Sequence, residues 1–212
     1  MVRFDIHADK TALLIIDMQN AFLKPGAILE RPSGRDLIPR LNKLIRACHE
    51  KQILTIFTQQ VFREDGSDMG LFTEFAPELY AGKTTLIEGT PDVDIYHEVE
   101  RQKGDIMLPK RAYSALWGTE LDLLLRIHGI DTLIIGGVDT VFCCESTTRE
   151  ARHRNYKVIF LSDGTATLDQ PDMGWGEISA DEVQRFVLTI MALRYAEVAS
   201  VEEVLRRIQE LD

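Results

Sequence analysis

Short, almost entirely apolar runs recur along the chain and alternate with segments whose apolar residues return at helical spacing. The apolar runs predict buried strands at residues 11–16, 53–57, 105–108, 131–136, 158–161 and 198–200. The segments between them predict helices at residues 36–48, 119–127, 142–153, 182–195 and 201–208. Uniformly apolar strands joined by helices indicate a mainly parallel sheet with helices on both faces. The predicted fold is therefore a three-layer, doubly wound α/β fold around six strands.

The pattern weakens between residues 61 and 104, where neither periodicity is clear and turn sequences recur. A long segment of this kind inside a compact domain is typically a functional lid, an oligomer contact, or both. We therefore predict a single domain over residues 1–212, in which the insertion at residues 61–104 covers a site or contacts another subunit.

The amino-acid composition argues against several kinds of binding partner. The 212-residue chain has 34 acidic and 24 basic residues, spread along the sequence, and a formal net charge of -10. This balance argues against nucleic acid or an anionic membrane surface as a partner. No apolar run approaches the roughly 20 residues of a membrane span, and the first residues lack a secretory signal, so we expect a cytoplasmic protein. The three cysteines imply no disulfide framework.

Three reactive residue types lie where predicted strands end. Asp17 follows the first strand, Lys110 follows the third, and Cys143 lies shortly after the fourth, at the mouth of a helix. Because ligands of an open parallel sheet bind beyond the carboxyl ends of its strands, the three side chains are expected to converge as a base, a cation and a nucleophile. The ordinary alternatives are a turn residue, a solvated charge and a small buried side chain.

The start of the helix that carries Cys143 also has chemical consequences. Thr140 is the expected N-cap, and the unpaired N–H groups and positive dipole end of a helix start favour a thiolate over a thiol. Cys48, by contrast, lies on the buried stripe of a helix and is expected to be a core residue. Three aromatic residues are expected to line a small pocket beside the reactive groups: Phe22, Tyr113 and Trp117. For the aromatic residues, core or dimer packing is the alternative.

The run GVDTVFCCESTTREA at residues 137–151 resembles the catalytic segment of the isochorismatase-like cysteine hydrolases. The resemblance extends to residues 13–22 (LLIIDMQNAF), 65–70 (DGSDMG), 108–137 and 162–167 (SDGTAT), nearly the whole chain. This superfamily includes N-carbamoylsarcosine amidohydrolase, nicotinamidase, biuret hydrolase and ureidoacrylate amidohydrolase. The resemblance implies a Rossmann-like fold with six strands and a catalytic triad that matches Asp17, Lys110 and Cys143.

The resemblance also implies a mechanism. It implies a cis peptide between Val138 and Asp139 and an oxyanion hole made from the backbone N–H groups of Asp139 and Cys143. The implied reaction is hydrolysis of a C–N bond in a small amide, carbamoyl or ureido compound through a thioester intermediate, in which Asp17 accepts the thiol proton and Lys110 stabilises charge. A homodimer or homotetramer is implied as well.

The chain departs from the metal-binding members of the family. Nicotinamidases carry an aspartate and histidines after the second strand, whereas residues 58–65 read TQQVFRED. Gln60 stands where relatives often carry a histidine, and the resemblance implies either a substrate-binding residue or a neutral replacement. The five histidines are scattered, so we expect neither a metal nor another cofactor. True isochorismatases cleave a vinyl ether without a nucleophilic cysteine. A C–O hydrolase of that kind and a non-catalytic binding or scaffold protein are the alternative functions.

Overall fold

The computed structural model describes residues 2–82 and 84–211; residue 83, inside the predicted insertion, and the two terminal residues lie outside the described part. Its strands are β1 (Thr11–Ile16), β2 (Leu54–Gln60), β3 (Ile106–Lys110), β4 (Thr132–Val138), β5 (Lys157–Ala166) and β6 (Glu197–Ala199). They form one sheet in the order β3-β2-β1-β4-β5-β6, and every neighbouring pair is parallel. The predicted doubly wound α/β fold is confirmed.

Helices cover both faces of the sheet. They are α1 (Asn20–Leu23), α2 (Pro32–Arg35), α3 (Ile38–Glu50), α4 (Phe72–Phe75), α5 (Pro77–Tyr80), α6 (Leu121–Ile127), α7 (Glu145–His153), α8 (Ala180–Ile190) and α9 (Val201–Gln209). Strand β1 shows why its sequence is apolar throughout: Leu13 and Ile15 enter the core cluster on one face, and Leu14 and Ile16 enter the cluster on the other. Each such buried side chain contributes about 1.5–3 kcal/mol. Cys48 is fully buried on α3, as predicted.

The strand order reverses between β1 and β4, because β2 and β3 extend the sheet from one side of this pair and β5 and β6 from the other. In open α/β sheets, the crevice beyond the carboxyl ends of two such strands is where ligands bind. Asp17 directly follows β1, and Asp139 directly follows β4. The candidate chemistry therefore lies at the topological switch point.

Strand β5 is longer than predicted. It continues past residue 161 to Ala166, although the sequence Ser-Asp-Gly at residues 162–164 is typical of a turn. A register shift between Ile135 and Gly137 keeps β4 and β5 paired across this region. A Cβ atom on Gly136 would lie only 3.0 Å from the Gly164 carbonyl oxygen, so the two backbones approach closely where both strands lack a side chain.

The segment from residue 61 to residue 104 contains α4, α5 and a 3-10 turn at Pro91–Val93. The two short helices were not predicted. The segment is tied to the loop after β1, because the Tyr96 N–H donates to the Met18 carbonyl at 2.9 Å and the Asn20 N–H donates to the Asp94 carbonyl at 2.9 Å. It therefore lies beside the switch point. No helix in the described residues is long and apolar enough to span a bilayer.

Candidate active site

The structure brings Asp17, Lys110 and Cys143 together. The Lys110 Nζ atom is 2.7 Å from Asp17 Oδ2 and 3.4 Å from Cys143 Sγ. Asp17 and Lys110 are each 1% exposed, and Cys143 is 6% exposed. Three elements distant in sequence thus deliver a carboxylate, an ammonium and a thiol to one buried point.

The carboxylate is held by the neighbouring strand. Asp17 adopts a positive φ of 47°, which is uncommon for a residue other than glycine. The Thr58 hydroxyl on β2 stabilises this conformation twice, since it accepts the Asp17 N–H at 3.1 Å and donates to Asp17 Oδ1 at 2.6 Å. The second carboxylate oxygen, Oδ2, is left to face Lys110 and Cys143.

The ammonium group of Lys110 has three N–H donors, and the structure provides an acceptor for each. They are Gln60 Oε1 at 2.6 Å, the Ala112 carbonyl at 3.0 Å and Cys143 Sγ at 3.4 Å. Asp17 Oδ2 lies 2.7 Å from the same nitrogen and forms a buried ion pair with Lys110, and it also interacts with the Cys143 thiol. This oxygen is available to accept a proton.

The environment sets the protonation state of the resting site. Burial raises the pKa of the Cys143 thiol; Lys110 opposes this shift and Asp17 adds to it, and the balance is a strongly raised pKa. Burial by itself would lower the pKa of Lys110, but Asp17 and Cys143 outweigh it, so that pKa is raised. The resting group is thus a neutral thiol beside an ammonium ion. Burial thus outweighs the stabilisation that Lys110 gives to the thiolate.

The turn before Cys143 contains the cis peptide between Val138 and Asp139 that the family resemblance implied. The N-cap is Asp139 and not Thr140 as predicted, since Asp139 Oδ1 accepts the Val141 N–H at 3.3 Å. Thr140 already lies inside the first turn of the helix and is fully buried, so the capping side chain is that of the preceding residue, Asp139.

That first turn is π-helical and spans Thr140–Cys144. The Asp139 carbonyl accepts hydrogen bonds from the N–H groups of Phe142 at 3.3 Å and Cys144 at 3.1 Å. Within the described residues, the intervening Cys143 N–H makes no bond to that carbonyl. In a π-helical turn the hydrogen bonds run from residue i to residue i−5, and here the bond of this kind to the Asp139 carbonyl comes from Cys144 and not from the amide of Cys143.

Gln60 lies inside the site and is 2% exposed. Its backbone is fixed by Gln19, whose side-chain amide bonds both the N–H (2.8 Å) and the carbonyl (3.0 Å) of Gln60. Its Oε1 atom must face Lys110, because an ammonium can only donate. The Nε2 donor consequently points away from Lys110 and has no partner in the described part of the chain. A buried unsatisfied donor at this position suits a ligand that brings an acceptor.

The predicted aromatic residues lie in different surroundings. The Tyr113 ring stacks on Phe142, with 5.3 Å between centroids and 24° between planes, next to the nucleophile. Phe22 is buried beside the Arg31 guanidinium, which is 6.0 Å from the centre of its ring. Trp117 is 62% exposed and lies at the surface.

Sequence analysis did not find three residues beside the site. Phe72 and Tyr80, from the insertion, pack with Tyr113: Phe72 lies 5.0 Å from the Tyr113 ring and 5.3 Å from the Tyr80 ring. Burial raises the pKa of Tyr80, and Tyr113 and Cys143 raise it further. Arg31 forms an ion pair with Asp139. The prediction of a lid indicated that residues of the insertion could lie beside the site. No local pattern in the sequence indicated a role for Arg31.

Among the described residues, no three His, Cys, Asp or Glu side chains are grouped as a metal ion would require. The polar groups of the site are instead a buried base, a cation, a thiol and an amide donor. This arrangement is suited to proton transfer and nucleophilic attack on a carbonyl group.

Known proteins resemble the chain along most of its length. Residues 11–203 match the isochorismatase domain family. The ureidoacrylate amidohydrolase RutB of Methylorubrum extorquens is 32% identical over 196 residues, which cover 84% of this chain and 77% of that protein. A crystal structure of a cysteine hydrolase from Pseudomonas syringae pv. phaseolicola 1448A is 38% identical, with a TM-score of 0.94 and coverage of 98% and 96% of the two chains. N-carbamoylsarcosine amidase from Thermoplasma acidophilum shares the fold, with a TM-score of 0.71, 24% identity and coverage of 91% and 97%.

Proposed function

The chain belongs to the isochorismatase family of hydrolases, and we propose that it is an amidohydrolase that cleaves a non-peptide C–N bond in a small ureido, carbamoyl or amide compound. One observation carries the proposal: the buried contact of Lys110 Nζ with Asp17 Oδ2 (2.7 Å) and Cys143 Sγ (3.4 Å). The similarity to a ureidoacrylate amidohydrolase favours a ureido substrate. The reaction requires no cofactor.

In the first step, Asp17 Oδ2 takes the Cys143 proton and the sulfur attacks the substrate carbonyl carbon. The transfer has to accompany substrate binding, because the raised pKa of Cys143 keeps the free enzyme in its thiol form. Lys110 stabilises the sulfur as its charge develops, since one of its N–H groups already points to Sγ. The C–S bond forms while the carbonyl electrons move to oxygen.

The resulting oxyanion is held by the backbone N–H groups of Asp139 and Cys143. The Cys143 amide suits this role because the π-helical turn passes over it. One preorganised donor of this kind typically contributes about 10²–10³ in kcat.

Collapse of the tetrahedral intermediate breaks the C–N bond, and the leaving nitrogen takes the proton from Asp17. A thioester remains on Cys143, or a thiocarbamate where the substrate is a ureido compound. Asp17 then takes a proton from water as the hydroxide attacks the carbonyl carbon. The C–S bond breaks, the sulfur recovers its proton from Asp17, and the site returns to its resting state.

The pocket residues set the orientation of a small substrate. Gln60 Nε2 donates to an oxygen of the substrate, because its Oε1 is occupied by Lys110. Tyr113 and Phe22 supply apolar walls, and Trp117 lies at the rim. Residues 61–104 act as the lid of this pocket, as an oligomer contact, or as both, within a single domain. The working form is a cytoplasmic homodimer or homotetramer.

Ammonia release from a panel of small compounds tests this function. The panel comprises ureidoacrylate, N-carbamoylsarcosine, biuret, nicotinamide and simple carboxamides, assayed with and without a metal chelator. We expect turnover of a ureido or carbamoyl compound, unaffected by the chelator, and its loss in the Cys143→Ala variant.

Cys144→Ala is the matched control, because Cys144 is the adjacent cysteine and is also fully buried. It should keep activity. A Cys143→Ala variant that stays active would contradict the thioester mechanism. Hydrolysis of isochorismate by that variant would favour the C–O hydrolase instead, and no turnover of any compound by the wild type would favour a non-catalytic role.

A further inference from the structure

We infer that Arg31 is a positioning residue that holds the oxyanion hole in place through the side chain of Asp139. The inference rests on the proposed function, because it assigns a role in that reaction. Arg31 Nε donates to Asp139 Oδ2 at 2.8 Å, across a separation of 108 positions in sequence. Their side chains are 13% and 4% exposed, respectively. A carboxylate buried to this degree depends on its cation, because without it the charge would be left uncompensated.

Asp139 is fixed through both oxygens of its carboxylate. Oδ2 accepts from Arg31, and Oδ1 accepts the Val141 N–H at 3.3 Å and thereby caps the helix that carries Cys143. A side chain held at two points restricts the rotation of its own backbone. The Asp139 N–H, one of the two proposed oxyanion donors, therefore has its direction set partly by Arg31.

Arg31 is itself anchored to the loop that follows α1. Its Nη1 donates to the carbonyls of Leu29 at 2.7 Å and Glu30 at 3.3 Å, and its backbone N–H donates to the Phe22 carbonyl at 2.7 Å. Helix α2, which begins at the residue after Arg31, packs on β4, because a Cβ atom on Gly34 would lie 3.2 Å from a methyl group of Val138. The guanidinium thus connects a docked loop to the residue that follows β4.

A direct contact between Arg31 and a substrate carboxylate is the competing role. Two of its three nitrogens are already occupied by protein acceptors, and its charge is matched by Asp139. The guanidinium and the carboxylate together present no net charge to a ligand. These contacts favour positioning over substrate binding.

The test uses two probes of Cys143 that do not depend on the identity of the substrate. Acetaldehyde adds to the thiol to form a thiohemiacetal: Asp17 takes the thiol proton, the C–S bond forms, the carbonyl electrons move to oxygen, and the resulting oxyanion occupies the oxyanion hole. Methyl methanethiosulfonate reacts with the same sulfur to give a methyl disulfide and methanesulfinate, with no oxygen in the hole. The affinity for acetaldehyde is measured as protection of Cys143 against the second reagent, by mass spectrometry.

In Arg31→Met, the affinity for acetaldehyde should fall by about 10- to 100-fold. This loss is smaller than the loss expected when a whole oxyanion donor is removed, because the Asp139 N–H is displaced but still present. The rate of the disulfide reaction should not change. Arg31→Lys should recover only part of the affinity, because lysine lacks the planar fork that bonds Asp139 and Leu29 together. Arg40→Met is the control: Arg40 also pairs with an aspartate, Asp163, but at 44% exposure. It should leave both probes unchanged.

The outcomes are distinct. If the acetaldehyde affinity of Arg31→Met is unchanged, the positioning role is wrong, but the proposed function is not affected. The same holds if both reactions slow equally, because the substitution would then act on the thiol and not on the oxyanion hole. An effect of Arg31→Met confined to the KM of a carboxylate substrate would make Arg31 a binding residue. If acetaldehyde gives no protection even in the wild type, the thioester chemistry fails, and the role of Arg31 fails with it.

Discussion

The buried ion pair between Asp17 and Lys110 predicts a large stability effect for Lys110→Met. Methionine keeps the unbranched stem of lysine, so the loss of the charge dominates over the loss of volume. At 2.7 Å the two charges attract by about 6 kcal/mol at an effective dielectric constant of about 20. Desolvation offsets part of this attraction, and breaking a buried pair typically costs about 3–5 kcal/mol. We expect the free energy of unfolding to fall by that amount.

The double variant Asp17→Asn/Lys110→Met separates the ion pair from the other contacts of Lys110. Asparagine keeps the oxygen that accepts from Thr58 at 2.6 Å, and neither member of the altered pair carries a charge. The double variant should therefore be more stable than Lys110→Met, by about 1 kcal/mol or more. Cys143→Ala is the control: its raised pKa keeps the thiol neutral, so its removal deprives Lys110 of no opposite charge.

Urea unfolding at neutral pH, followed by circular dichroism and extrapolated linearly to water, measures five proteins: the wild type, Lys110→Met, Asp17→Asn, the double variant and Cys143→Ala. If the free energy of unfolding of Lys110→Met falls by less than about 1 kcal/mol, the reasoning is wrong, because a buried carboxylate without a cation destabilises a protein by more than that. A double variant whose loss equals the sum of the two single losses would refute it as well. A loss in Cys143→Ala as large as that in Lys110→Met would indicate a resting thiolate.

Three further predictions address the thiol, the amide donor and the strand end. Because the pKa of Cys143 is raised, its alkylation by iodoacetamide in the free enzyme should still accelerate with pH beyond about 8.5, the ordinary cysteine range; a plateau below about pH 8 would contradict this. Gln60→Leu should lower kcat/KM at least about tenfold, because it removes both the Nε2 donor to the substrate and the Oε1 acceptor of Lys110; an unchanged value would contradict a role of Gln60 in the pocket. Gly137→Ala should destabilise the fold by more than about 3 kcal/mol, because its Cβ would lie 2.1 Å from the Ile16 carbonyl oxygen at a φ of 123°. Gly129→Ala, also at positive φ but in open space, should cost only about 1 kcal/mol in thermal unfolding; equal losses in the two variants would argue against the close approach.

The positions of three residues in the sequence were enough to predict that they share a site, because a parallel sheet presents the carboxyl ends of its strands at one edge. These residues are Asp17, Lys110 and Cys143. The structure places the three side chains in contact there. The presence of Arg31 and Tyr80 beside this site could not be predicted in this way. Arg31 belongs to a loop and Tyr80 to the short helix α5 of the insertion, and the position of both depends on how these segments fold back over the sheet.

The amino-acid sequence by itself determined the layered architecture, since six apolar strands without alternation can be stable only when helices cover both faces of the sheet. It did not determine where β5 ends, because the Ser-Asp-Gly turn signal is overridden by pairing with β4. Only the tertiary structure decided that Asp139 caps the helix that carries Cys143, where a partner 108 positions away compensates its charge. It also decided that Cys143 rests as a thiol, because burial depends on everything packed around the sulfur and not on the residues next to it in sequence.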